Sequence, residues 1–119
     1  MTLLYTHILL LRGFVMRRYT LTIGLFDKDT KTQKFSHALA RNIIADLVVN
    51  SIGYGTVYNG DGVYTHVNGK VVVEPSIVFF VDGEKDLKDK VKNLAWQIKK
   101  ALNQESVMLE ETAVKMEFI

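Results

Sequence analysis

The chain has 119 residues, 48% hydrophobic and 24% charged, with Lys+Arg 15 against Asp+Glu 13 and no cysteine. That is the composition of one globular domain with enough apolar residues for a real core, and it excludes disorder. The missing cysteines exclude disulfides, thiolate metal sites and thiol nucleophiles and give no support to secretion.

The formal charge of +2 is unevenly laid out. Residues 1–35 carry Arg12, Arg17, Arg18, Lys28, Lys31 and Lys34 against Asp27 and Asp29, residues 36–82 are mildly acidic, and 83–119 are balanced. So few cations neutralise only a few phosphates, which argues against long nucleic acid and leaves a small anionic ligand compatible.

In chain order, residues 1–15 open with the apolar MTLLYTHILLL. This is shorter than the roughly 20 residues a bilayer span needs, and it lacks the basic start and small-residue cleavage site of a signal peptide. A cytoplasmic protein with no membrane partner is expected. Two possibilities stay open for 1–15, an extension upstream of a single domain over 16–119 or an extra strand. Residues 17–26, RRYTLTIGLF, alternate Tyr19, Leu21, Ile23 and Leu25 with Arg18, Thr20, Thr22 and Gly24, the period of a half-buried strand.

The polar run 27–34 ends that strand, and Ser36 offers the N-cap of a helix. This helix carries Leu39, Ile43 and Leu47 on one face, has Ala40, Ile44 and Val48 beside them, and stops near Gly53. Asn59-Gly60-Asp61-Gly62 and Asn68-Gly69 then predict two successive hairpins. A two-residue Asn68-Gly69 turn pairs Val67 with Lys70, His66 with Val71 and Tyr64 with Val73, putting Tyr64 and His66 on one sheet face. Pro75 has no N–H and predicts a bulge or an edge position.

Residues 86–102 predict a second helix, with Leu87, Val91, Leu94, Ala95, Ile98, Ala101 and Leu102 facing inward and lysines opposite. Beyond Asn103, Val107 and Leu109 alternate in one phase and Val114, Met116 and Phe118 in the other. That slip predicts a bulge or a tail crossing to a second chain. The element order specifies an α+β fold, a two-layer ferredoxin-like sandwich with an antiparallel sheet and two helices on one face.

Chemistry is sparse. His7, His37 and His66 fall on different elements without metal-ligand spacing, so no metal and no cofactor is expected. Asp27, Asp29 and Glu74 offer oxygen ligands, but the D-K-D-T run departs from the calcium-loop pattern. The glycine-rich stretch 53–62 lacks the Lys-Ser/Thr of a phosphate loop, and no Ser-His-acid set is evident, so there is no catalytic group to name. What remains is Arg17, Arg18, Lys28 and Lys31 around the first strand, with Tyr54, Tyr58, Tyr64 and His66 in the hairpins. Cations for a phosphate and rings for a base are the minimum for holding a small nucleotide. Each of them is also an ordinary ornament of a wet sheet, so the assignment of Arg17, Arg18, Lys28, Lys31, Tyr58, Tyr64 and His66 to a ligand site rests on the group.

IGLFDKDTKTQ (23–33) and ALNQESVMLEE (101–111) resemble segments of small phage and prophage proteins. In these a strand, a D-K-D-T-K turn and a helix open the domain, and a helix ending in NQESV precedes the last strand. The resemblance brackets most of 16–119, leaves residues 1–15 without a counterpart, and points to phage counter-defence, specifically the Thoeris anti-defence sponges. It implies a non-enzymatic homo-oligomer in the infected host that sequesters a small nucleotide signal of cyclic ADP-ribose type. Two rival expectations are an inhibitor docking a defence enzyme through an edge strand, and an enzyme that degrades a cyclic nucleotide.

Overall fold

The computed structural model describes residues 16–84 and 86–119, so the alternatives for residues 1–15 lie outside the described residues. The elements in chain order are β1 (Met16–Gly24), α1 (His37–Ser51), β2 (Thr56–Thr65), β3 (Val71–Gly83), α2 (Leu87–Ala101) and β4 (Met108–Val114). The strands form one antiparallel sheet in the order β2-β3-β1-β4, with both helices on one face. This is the ferredoxin-like α+β sandwich that the element order specifies.

The alternation of β1 sets the layers. Tyr19, Leu21 and Ile23 are fully buried, packed with Ile77, Phe79 and Val81 of β3 and with Ile44, Val91, Leu94 and Ile98 of the helices. Each such large side chain contributes roughly 1.5–3 kcal/mol by leaving water. Ser36 caps α1 as expected, its Oγ accepting the Leu39 N–H at 3.1 Å. The buried row of α1 is Ala40, Ile44 and Val48, led by the small Ala40, while Leu39 turns outward to 48% exposure.

Three expectations change. First, the Asn59-Gly60-Asp61-Gly62 run closes no hairpin. β2 passes straight through it in register with Ile77, Ser76, Pro75 and Glu74. Gly60 and Gly62 do not take the positive φ a turn would need. They serve close approach instead, since a Cβ on either would meet Val78 or Ser76 at 3.3 Å.

Second, the turn at Asn68-Gly69 is one residue longer than predicted. Thr65 pairs with Val71 and Tyr64 with Val72, His66 N–H donates to the Lys70 carbonyl at 2.9 Å, and Gly69 N–H donates to the His66 carbonyl at 2.8 Å. A three-residue loop, 67–69, results, with Gly69 at φ 82°. Asn68 Oδ1 accepts the Lys70 N–H at 3.0 Å and holds it. Tyr64 and His66 still share a face.

Third, neither Pro75 nor the last strand carries a bulge. The β2 register runs through Pro75, and the β1 ladder ends at Gly24 opposite Ser76, so the missing donor falls where that ladder stops. β4 pairs with β1 without interruption from Thr22 opposite Met108 to Met16 opposite Val114. The slip in its apolar pattern is therefore a change of face. Val107 and Leu109 pack toward the helices, whereas Val114 alternates with Met108 and Thr112 onto the face that no helix covers.

Candidate functional site

Asp27 follows the last core residue of the first strand segment and is 1% exposed. Its Oδ1 accepts from Asn103 Nδ2 at 2.8 Å, and its Oδ2 accepts from the N–H groups of Asp29 at 3.0 Å and Thr30 at 3.1 Å. The Asn103 amide first, then these backbone donors and the charge of Lys34, hold the Asp27 carboxyl well below the usual carboxylate range, against the opposing effect of burial. Asn103 follows α2 at φ 49°, a conformation asparagine tolerates at a helix end. Gln104 donates its side-chain amide to the carbonyls of Phe26 and Leu102, both at 3.1 Å.

The D-K-D-T-K turn and the Asn103-Gln104 segment, distant in sequence, are thus one clamp. Asp27 is committed to that clamp. Among the described residues no group of three or more His, Asp or Glu is arranged to hold a metal ion.

Between the clamp and the hairpin lies a cavity of about 520 Å³. Thr22 and Gly24 of β1, Val72 and Glu74 of β3 and Met108 of β4 form its base. Asp27, Lys28 and Lys31, then Tyr64 and His66, then Gln104, Glu105 and Ser106 form its sides. Glu74 Oε2 accepts the Phe26 N–H at 2.9 Å. The same carboxylate lies over Gly24, where a Cβ would come within 2.3 Å of Oε2, so glycine is required there by proximity. Tyr64 and His66 meet edge to face, their centroids 5.6 Å apart.

Lys31 closes its turn at φ 61°, donating its N–H to the Asp27 carbonyl at 2.8 Å. Neither Lys28 nor Lys31 forms an ion pair among the described residues. Asp27, Glu74 and Glu105 line the cavity together with Lys28 and Lys31, so its lining is mixed in charge.

Of the residues singled out in the sequence, Lys28, Lys31, Tyr64 and His66 line this cavity. Arg17, Arg18 and Tyr58 lie toward the other end of the sheet, Arg18 being six residues and roughly 20 Å up β1 from Gly24. Arg18 binds both oxygens of Asp82, at 2.8 and 2.9 Å, and stacks 4.3 Å from the Phe80 centroid. Tyr58 packs edge-on against Phe80, and Arg17 lies 3.7 Å from Glu111. Sequence reasoning missed Gly24, Asn103 and Gln104 and read Glu74 only as an oxygen ligand. Its parity with Val72 and Ser76 is the signal that places Glu74 on the cavity face, once Pro75 is accepted inside the strand.

The chain matches no protein-family model and no curated protein. Its fold does match solved structures. A phage SAM lyase in complex with S-methyl-5'-thioadenosine aligns with TM-score 0.59 and 19% identity over 87% of this chain and 92% of that one. A phage SAM lyase in the apo state gives 0.60 and 19% over 88% and 93%. The periplasmic divalent cation tolerance protein CutA from Archaeoglobus fulgidus gives 0.54 and 9% over 87% of each. At these identities the likeness is one of fold.

The likeness corrects the expected function. The phage chains matched over more than nine-tenths of their length are lyases, enzymes that break down a small molecule. This overturns the non-enzymatic reading and the sequestration of a cyclic ADP-ribose signal. The physical reason is visible in the cavity, whose carboxylates oppose a polyanion. The phage side of the resemblance stands in its coarser form, a fold shared with a phage protein. Among the described residues no helix is long and apolar enough to cross a membrane.

Proposed function

We propose that the chain is a phage-type enzyme that takes S-adenosylmethionine into the cavity and cleaves a carbon–sulfur bond, releasing S-methyl-5'-thioadenosine. The observation that supports this is the mixed charge of a cavity of about 520 Å³, in which Glu74 and Glu105 stand beside Lys28 and Lys31. Such a lining suits a ligand that carries a sulfonium, an ammonium and a carboxylate, and it suits a polyphosphate poorly. The shared fold with a phage SAM lyase is the second support.

The chemistry asks little of the protein. A sulfonium sulfur leaves with the C–S electron pair as a neutral thioether, so the leaving group needs no general acid. The pair lost by carbon is replaced from within the substrate, its own carboxylate oxygen closing onto that carbon as a lactone while the C–S bond breaks, so neither water nor a second substrate enters the balance. The protein's part is to bind, orient and exclude water. Glu74, fixed by the Phe26 N–H and seated over Gly24, is assigned to face the sulfonium. Lys28 and Lys31 take the substrate carboxylate, and Tyr64 and His66 present rings to the adenine. Loss of a methyl donor from an infected host is a counter-defence effect that such a reaction would produce.

The test is incubation of the purified full chain with a large excess of S-adenosylmethionine, followed by mass spectrometry of the products. Accumulation of S-methyl-5'-thioadenosine well beyond one equivalent per chain is the expected result. Quantitative recovery of intact S-adenosylmethionine overturns the assignment.

A further inference from the structure

Among the described residues, the two at positive φ that are not glycine are Lys31 at 61° and Asn103 at 49°. Both belong to the clamp beside the cavity. Asparagine tolerates this conformation, whereas a lysine there pays for its Cβ and gains nothing locally that glycine would not supply. A residue held in a sparsely populated conformation at a site points to work done by its side chain. Lys31 lines the cavity and forms no ion pair among the described residues.

Asn103 supplies the hold on that turn. Its side-chain amide donates to two carboxylates at once, to Asp27 Oδ1 at 2.8 Å and to Asp29 Oδ2 at 2.9 Å. Asp27 in turn accepts the Lys31 N–H on its backbone carbonyl at 2.8 Å and donates its own N–H to the Thr32 carbonyl at 2.8 Å. The turn from Asp27 to Thr32 is thus closed on itself and tied to the end of α2 through Asn103, whose carbonyl also accepts the Lys28 N–H at 3.0 Å. Glycine is the usual residue at a left-handed position past a helix. Here it would keep the carbonyl contact and lose both amide bonds, so what asparagine adds is the grip on Asp27 and Asp29.

We propose that Asn103 is a positioning residue for the substrate's carboxylate. Acting through Asp27, it fixes the turn that presents Lys31 to the cavity, and Lys31 holds the carboxylate. This rests on the reaction proposed above, in which that carboxylate must reach the carbon that loses sulfur, a step that depends on orientation. Of the two cavity lysines, Lys31 is singled out by its backbone.

Two thioethers separate this role from a merely structural one. S-adenosylhomocysteine carries the adenosine with an ammonium and a carboxylate, whereas S-methyl-5'-thioadenosine carries the adenosine and a methyl group. Calorimetry measures the affinity of each for the full chain and for its Lys31→Gly and Asn103→Gly variants. Both variants are expected to bind S-adenosylhomocysteine about tenfold more weakly and S-methyl-5'-thioadenosine within about twofold of the parent. The double variant is no weaker than Lys31→Gly alone, because Asn103 acts through Lys31. Melting temperatures move in opposite directions, up for Lys31→Gly, which relieves the backbone, and down for Asn103→Gly, which leaves two carboxylates without their shared donor. An equal loss of both ligands in either variant makes the residue structural and overturns the proposal. So does unchanged affinity of Lys31→Gly for S-adenosylhomocysteine. A parent chain that binds neither thioether overturns the proposed reaction itself, and this inference with it.

Discussion

The two ends of the uncovered sheet face hold the same kinds of side chain and use them differently. Toward the start of β1, Arg18 is gripped by Asp82, the residue opposite it in the β3 register, and lies over Phe80, against which Tyr58 also packs. Toward the end of β1, Lys28 and Lys31 stand on a clamped loop beside a cavity, with Tyr64 and His66 across from them. The difference comes from strand register. A cation on a strand meets whatever its neighbour places opposite, and here that is an acid. Lys28 and Lys31, on a loop beyond the strand's end, meet no such partner among the described residues, whereas Lys34 on the same loop lies 3.6 Å from Asp27.

The largest effect expected from this contrast falls on Glu74. Replacing Glu74→Gln removes the charge facing the sulfonium while leaving an acceptor for the Phe26 N–H, so turnover of S-adenosylmethionine falls on the order of a hundredfold to a thousandfold with little change in melting temperature. A variant that retains more than a tenth of the parent turnover removes Glu74 from the mechanism.

Next comes Asp27. Its carboxyl is depressed in the folded chain, so the stability it confers is fully present above its ordinary value of about 4 and is lost as the pH falls from there toward the depressed value. Asp27→Asn lowers the melting temperature at neutral pH, and the gap to the parent narrows progressively as the pH falls below about 4. A gap that is the same at pH 7 and pH 3 refutes the role of the charge.

The smallest effect belongs to the other end of the sheet. Arg18 is more than a third exposed, so Arg18→Ala costs about 0.5–1 kcal/mol of stability in urea titration. Its turnover stays within about twofold of the parent. A tenfold loss of turnover would extend the site along the whole face and dissolve the contrast.

The layers were legible in the sequence because they depend on local periodicity. The alternation of Tyr19, Leu21 and Ile23, the Ser36 cap and the row through Val91, Leu94 and Ile98 each declare themselves within one element. Gly60 and Gly62 misled because a glycine needed for cross-strand closeness looks the same in sequence as one needed for a turn. The chemical inventory was half legible. Four of the residues chosen for their chemistry line the cavity, but which cations were free could not be read before Asp82 was known to sit opposite Arg18. Glu74 and Asn103 were hidden for the same reason, since their partners Phe26 and Asp27 come from distant parts of the chain.

The clamp between Asp27 and Asn103 joins residues 76 apart in the chain, and the strands that flank β1 among the described residues are β3 and β4, both made after it. Closure of so long a loop adds little to the free-energy cost, which grows only as the logarithm of length, but it slows the search for the native pairing. During synthesis the chain therefore carries its lysine-bearing loop unanchored until Asn103 has left the ribosome. A chain that ends before Asn103 holds Lys28, Lys31, Tyr64, His66 and Glu74 but neither the clamp nor the wall from Gln104 to Met108, so the cavity arrives in one step with the last strand.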